Sequence, residues 1–176
     1  MTKILITEFI DSQSLQNINK KFDVIYKKDA WQNKDFLERE IQKFDGIIVR
    51  NKTSLDKKIL INASNLKFIG RLGVGLDNID TEYCKKNNII VQPATGMNSD
   101  SVAEYVVNSS LTLLKKTQII KEQTLQGKWP RTSIVTKELK GKTFGLIGFG
   151  DISKKVLNLV NVFDVTCIAY DPFITL

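Results

Sequence analysis

Apolar and polar positions change rhythm repeatedly along the first half of the chain. Lys3–Thr7 is an apolar, β-branched run, Asp11 and Ser12 break it, and Leu15, Ile18 and Phe22 then recur at helical spacing. A second short strand is expected over Asp23–Tyr26. Asn33 is placed to cap a helix whose apolar side carries Phe36, Leu37, Ile41 and Phe44, with the acids Asp35 and Glu38 in its first turn. Strands over Gly46–Val49, Lys67–Leu72 and Ile89–Gln92 are separated by a helix from about Ser54 to Ile61 and a short helix opened by Asp80. Five apolar strands alternating with helices demand a parallel sheet covered on both faces, because parallel strands need crossover helices to return the chain.

The rhythm changes after Pro93-Ala-Thr-Gly96. One long helix is expected from about Ser99 to Leu125, with Val102, Val106, Ser109 and Leu113 in one stripe and Ala103, Val107, Leu111 and Leu114 beside it. So broad an apolar face suits a helix lying between two layers. Gly127 and Pro130 end it. A new strand over Phe144–Ile147, a turn at Gly148-Phe-Gly150, a helix through Val156, Leu159 and Val160, and a strand over Thr166–Tyr170 follow, delivering Asp171. The fold class is α/β: a flavodoxin-like five-stranded parallel domain over residues 1–98, then from 99 to 176 a long helix and the start, βαβ, of a Rossmann domain.

Composition narrows the options. A chain of 176 residues that is 42% hydrophobic and 26% charged fits neither a disordered segment nor a fibre. No apolar stretch approaches the roughly 18 residues of a membrane span, and the start of the chain meets Glu8 after a short apolar run, so a soluble, cytoplasmic protein is expected. The net charge of +7 rests on lysines scattered singly or in pairs, the pattern of a solvated surface rather than of a nucleic-acid site. Cys84 and Cys167 match no metal or redox spacing and are expected to be reduced, structural thiols. Histidine is absent.

Candidate chemistry gathers in three places. In the Gly148–Gly150 turn the first glycine permits a sharp bend, the second lets backbone approach a pyrophosphate, and the helix start offers N–H donors. Asp171 follows at about the 20-residue distance at which an acid reaches a ribose 2′-OH. Ser153 replaces the third glycine of such turns, and the carboxylate of Asp151 lies where the phosphates would be, which is expected to lower affinity. The second place is Arg71-Leu-Gly73-Val74-Gly75-Leu-Asp77-Asn78-Ile-Asp80 at the end of the fourth strand, which reads equally as an anion site or as a loop with Asp80 as a cap. The third is Arg50, after the third strand, either a partner for a carboxylate or phosphate or a solvated surface arginine. Asn98, just before the long helix, is a further polar candidate.

Together these motifs resemble one family. The order Val-Arg-x-x-Thr, Gly-Arg-x-Gly-x-Gly-x-Asn/Asp-x-Ile-Asp, Asn-x-x-x-Val-Ala-Glu, Gly-Lys-Trp and Leu-x-Gly-Lys-Thr-x-Gly-x-Ile-Gly-x-Gly resembles the N-terminal part of the D-isomer-specific 2-hydroxyacid dehydrogenases, nearest the D-3-phosphoglycerate dehydrogenase branch. The resemblance implies a substrate domain over 1–98 and hydride transfer between C2 of a small 2-hydroxy or 2-keto acid, with 3-phosphoglycerate one candidate, and NAD. It implies that Gly73, Val74 and Gly75 hold the substrate carboxylate, with Val74 also near the nicotinamide, and that Arg50 and Asn98 line the same cleft. For the cofactor it implies Gly148 and Gly150 at the phosphates, Asp151 and Ile152 flanking the pyrophosphate, and Asp171 on the adenosine ribose, favouring NAD over NADP. A homodimer is implied for the complete protein. The catalytic Arg, Glu and His of the family fall after residue 176, so the chain is expected to be a truncated, inactive portion that leaves a two-stranded, half-exposed sheet. A non-catalytic binding or dimerisation protein built on the same fold is the alternative.

Overall fold

The computed structural model describes residues 1–174. The chain divides into two units, Met1–Thr95 and the part from Gly96 onward. The first unit holds five parallel strands in the order β2-β1-β3-β4-β5: β1 (Lys3–Ile6), β2 (Asp23–Tyr26), β3 (Gly46–Val49), β4 (Phe68–Arg71) and β5 (Ile90–Pro93). Strand alternation decides which side chains go where. Leu5, Ile47, Val49 and Ile69 face one core and are fully buried there with Leu37 of α2 (Lys34–Glu40), Ile59 and Leu60 of α3 (Lys57–Leu60), and Cys84 of α4 (Thr81–Lys86). Ile4, Ile6 and Ile48 face the other side and pack on Leu15, Ile18 and Phe22 in and beyond α1 (Ser12–Asn19).

Both faces are covered, but the α1 face incompletely. Over β3 and β4 the α1 side opens into an apolar hollow of about 450 Å³ lined by Ile4, Ile18, Phe22, Ile48 and Phe68, and Ile90 of β5 is 64% exposed. The helix expected from Ser54 shrinks to α3. Leu55 forms an isolated parallel bridge with Ile79, and the Asp56 side chain accepts from Ile59 N–H, so the helix starts after that bridge. Asp11, Asn33 and Asp80 cap α1, α2 and α4 by accepting from Ser14, Phe36 and Tyr83 N–H.

In the second unit the expected single helix is two, α5 (Ser99–Lys115) and α6 (Thr117–Leu125). Lys116 between them is left-handed at φ 52°, and the Leu114 carbonyl accepts from Lys137 N–H at 3.0 Å instead of continuing the helical ladder. Two parallel strands, β6 (Thr143–Ile147) and β7 (Thr166–Tyr170), flank α7 (Asp151–Val160). Ala103, Val106 and Val107 of α5 close a small core with Leu146, Val156 and Val160. Of the expected stripes, Leu113 is 78% exposed, so in this unit only one side of α5 is covered; Leu159 of α7 is also exposed. The two-stranded sheet is half-exposed as expected, with Ile147 at 94% and Tyr170 at 67%. Both cysteines are free, and burial pushes the Cys84 thiol up to about 11, which suits a structural group.

Candidate functional site

In the strand order β2-β1-β3-β4-β5 the chain leaves β1 first to one side and then to the other, and ligands of such sheets bind at that reversal, outside the carboxyl ends of the strands. Glu8 and Phe9 follow β1 there, and Arg50 follows β3. Glu8 is only 4% exposed. Its carboxylate accepts from the backbone N–H groups of Arg50 (2.8 Å), Thr53 (2.9 Å) and Lys52 (3.1 and 3.2 Å to the two oxygens). Burial raises its pKa, but the N–H donors of Thr53, Arg50 and Lys52 together outweigh burial and hold it below the ordinary glutamate value. The loop that carries Arg50 is thus wrapped around a buried anion. Beneath it the hydroxyls of Thr7 and Thr53 meet at 2.8 Å, both buried.

The Arg50 side chain is exposed and lies over the Phe9 ring, 6.0 Å from its centroid. It borders two hollows, one of about 480 Å³ shared with Phe9, Ser14, Asn17 and Leu72, and one of about 310 Å³ shared with Lys28, Asp29, Trp31 and Lys52. Among the described residues Lys28, Arg50 and Lys52 form no ion pair. Lys52 Nζ instead stands 4.6 Å from the centre of the Trp31 ring.

The glycine loop lies beside Arg50, since β3 and β4 are neighbours and Leu72 N–H bonds to the Val49 carbonyl. Gly73 adopts φ +150°, and a Cβ there would collide with the Arg71 guanidinium. Gly73 N–H turns back to the Arg71 carbonyl and its own carbonyl takes Ala94 N–H, so the loop is pinned from β5. Among the described residues the N–H groups of Val74 and Gly75 find no acceptor, and Val74 is 46% exposed. Of the three residues expected to bind an anion through their backbone, two therefore present free donors. Asn78 ties this loop to its neighbour, its Nδ2 donating to the carbonyls of Arg50 (2.9 Å) and Thr53 (2.6 Å).

The second unit brings Gly148, Gly150, Asp151, Ile152 and Asp171 together at the carboxyl ends of β6 and β7. Gly148 has φ +86°. At Gly148 and Gly150 the space a Cβ would occupy is open, and no side chain caps the α7 N-terminus. First-turn N–H groups of a helix have no partner within it, so this turn can seat an anion. The Asp171 carboxylate accepts from Phe149 N–H at 2.7 Å and from Phe173 N–H at 2.9 Å, and these bonds hold its pKa below the ordinary aspartate value. Asp151 and Ile152 are exposed in the first turn of α7. Asn98 is exposed at the start of α5 and makes no capping bond. The left-handed Gly96 just before it lies against the same turn, its absent Cβ 3.7 Å from Asp151 Oδ2.

Glu8, Arg71 and Asn78 were not among the expected site residues. Arg71 and Asn78 lie within the glycine motif itself, whereas Glu8 carries no local signal. Its partners are more than 40 positions away. Among the described residues no group of His, Cys, Asp and Glu could hold a metal, and no helix is long and apolar enough to cross a membrane.

Known proteins similar to this chain are dehydrogenases. (S)-sulfolactate dehydrogenase of Chromohalobacter salexigens is 34% identical over 174 residues, covering 99% of this chain and 56% of that protein. D-3-phosphoglycerate dehydrogenase of Archaeoglobus fulgidus is 33% identical over 98% of this chain and 33% of its own length. The chain thus spans about half or less of the relatives it matches. Among solved structures, cofactor (NAD+)-bound 3-phosphoglycerate dehydrogenase of Entamoeba histolytica superposes with a TM-score of 0.76 at 28% identity, over 99% of this chain and 55% of that one. An NADPH-dependent glyoxylate/hydroxypyruvate reductase of Sinorhizobium meliloti, with NADP and malonate, has a TM-score of 0.81 at 20% identity, over 99% and 54%, and shares the fold. The model of the D-isomer specific 2-hydroxyacid dehydrogenase catalytic domain matches residues 4–171, and the chain belongs to that family.

Proposed function

We propose that the chain carries substrate-binding and NAD-binding elements of a dehydrogenase acting on a 2-hydroxy acid with a second anionic group. The observation that carries this is the meeting of the open Gly148–Gly150 turn, the uncapped α7 N-terminus and Asp171. These residues fit a dinucleotide. The α7 N–H groups would face the pyrophosphate, with Asp151 and Ile152 flanking it. Asp171 would take the adenosine ribose and repel a 2′-phosphate, favouring NAD. The nicotinamide, when bound, takes up the hydride leaving C2.

On the substrate side, Val74 and Gly75 N–H would hold the carboxylate, with Arg50 and Asn98 as further polar contacts. Lys28 and Lys52 beside Arg50 suit a second oxyanion, and sulfolactate and 3-phosphoglycerate, named in two relatives, both carry one. These 176 residues contain no histidine, so a histidine general acid–base of the kind the family uses is not among them, and we expect the chain alone to bind without turning over. Pairing of two copies through α5, α6 and the following segment completes the picture, where Tyr105, Leu113, Leu125 and Trp129 are exposed.

The test is calorimetric titration of the chain with NADH and NADPH. NADH should bind more tightly, and Gly150→Trp should abolish it. Absence of binding by either nucleotide at millimolar concentration, or binding indifferent to Gly150→Trp, overturns the cofactor assignment.

A further inference from the structure

We propose that Glu8 and Asn78 are positioning residues that lock Arg50 and the Gly73–Gly75 loop into one anion-binding platform. The inference rests on the substrate reading above.

A run of backbone N–H groups converging at the end of a strand ordinarily recruits a ligand anion. Here the N–H groups of Arg50, Lys52 and Thr53 converge on Glu8, a carboxylate from this chain that is only 4% exposed. An internal anion therefore fills the nest. A ligand anion finds those donors taken, and Arg50 remains for it as an exposed side chain on a backbone that cannot shift without breaking charge-assisted bonds. Asn78 closes the platform from the opposite polarity. Its amide donates to the carbonyls of Arg50 and Thr53, so the same short loop is held by its N–H groups from β1 and by its carbonyls from the glycine motif. Leu55 N–H returns to the Asn78 carbonyl at 2.8 Å, which fixes Asn78 itself. The Arg50 backbone, which bears the guanidinium, and the glycine motif, which bears the free N–H groups of Val74 and Gly75, are consequently joined by one connected set of hydrogen bonds.

Oxalate, a two-carbon dianion, is the probe, titrated into the whole chain and followed through amide chemical shifts at Val74 and Gly75. Wild type should bind it. Glu8→Gln, which keeps the shape but removes the charge and one acceptor, should weaken binding roughly tenfold, the scale of one charge-assisted hydrogen bond. Asn78→Ala should do the same, and amide exchange at Arg50, Lys52 and Thr53 should quicken in both. A role exerted through Arg50 makes the effects non-additive, so Glu8→Gln combined with Arg50→Ala should bind no more weakly than Arg50→Ala alone. A merely structural role predicts a lower melting temperature with unchanged oxalate affinity in the folded variant, and that result, or strict additivity with Arg50→Ala, overturns the proposal. If wild type itself ignores oxalate, the substrate reading fails and takes this inference with it. If wild type binds and Glu8→Gln binds equally well, only this inference fails.

Discussion

The Asp171 carboxylate accepts a 2.7 Å hydrogen bond from the backbone N–H of Phe149, the residue between the two glycines of the turn. An acid at the tip of one strand therefore shapes the Gly148–Gly150 turn at the tip of its neighbour, besides the ribose contact proposed for it. Removing it should act on both.

Asp171→Asn tests the division of these roles. The amide oxygen can still accept from Phe149 N–H, so the turn should persist, while the negative charge proposed to oppose a 2′-phosphate is lost. The expected outcome is a preference for NADH over NADPH that falls by on the order of tenfold, read as the ratio of the two dissociation constants. Asp171→Ala should weaken both nucleotides.

Gly73→Ala should be costly although the change is one methyl. The residue sits at φ +150° and its Cβ would meet the Arg71 guanidinium. Strain of this kind costs about 1–3 kcal/mol, measurable by urea denaturation, and the displaced loop should also lose oxalate binding at Val74 and Gly75.

Acid should unfold the first unit partly through Glu8. Its folded pKa lies below the ordinary glutamate value, so its stabilisation is present above that value and is lost as the pH falls through the lower folded one. The same sign holds for Asp45, held down by Lys3 N–H with Lys67 nearby. Wild-type melting temperature should therefore fall on acidification below about pH 5, and Glu8→Gln should show a lower plateau with a shallower acid limb.

Local signals were legible in the sequence and long-range ones were not. Asn33 and Asp80 announced their helices because a cap and its N–H lie three residues apart. The five strands were readable because each is a short apolar run between breakers. The break at Lys116 was not, since lysine has no special liking for the left-handed region and the competing donor, Lys137 N–H, comes from 23 positions beyond the Leu114 carbonyl that accepts it. Gly148, Gly150 and Asp171, which the structure brings together, were singled out by type and spacing. Glu8 did not, because its role depends on a loop after β3 folding over the end of β1.

Lys52 offers the sharpest test of substrate class. It occupies one of the two unspecified positions in the Val-Arg-x-x-Thr motif, so nothing about the shared fold requires a cation there. In this chain it shares a hollow of about 310 Å³ with Lys28 and Arg50, and among the described residues Asp29 is the only other charged group in that hollow besides Glu8, whose oxygens are occupied by backbone donors. A second oxyanion on the substrate would meet more positive than negative charge there, at a partly exposed site where each added contact is worth about 1 kcal/mol or less. Lys52→Ala should therefore weaken 3-phosphoglycerate by about threefold to fivefold while leaving lactate, which lacks the second anion, unchanged. The measurement is calorimetric titration of the chain with both acids at low salt, and added salt should shrink the difference. Equal losses for the two acids would show that Lys52 acts on the fold rather than on the distal anion.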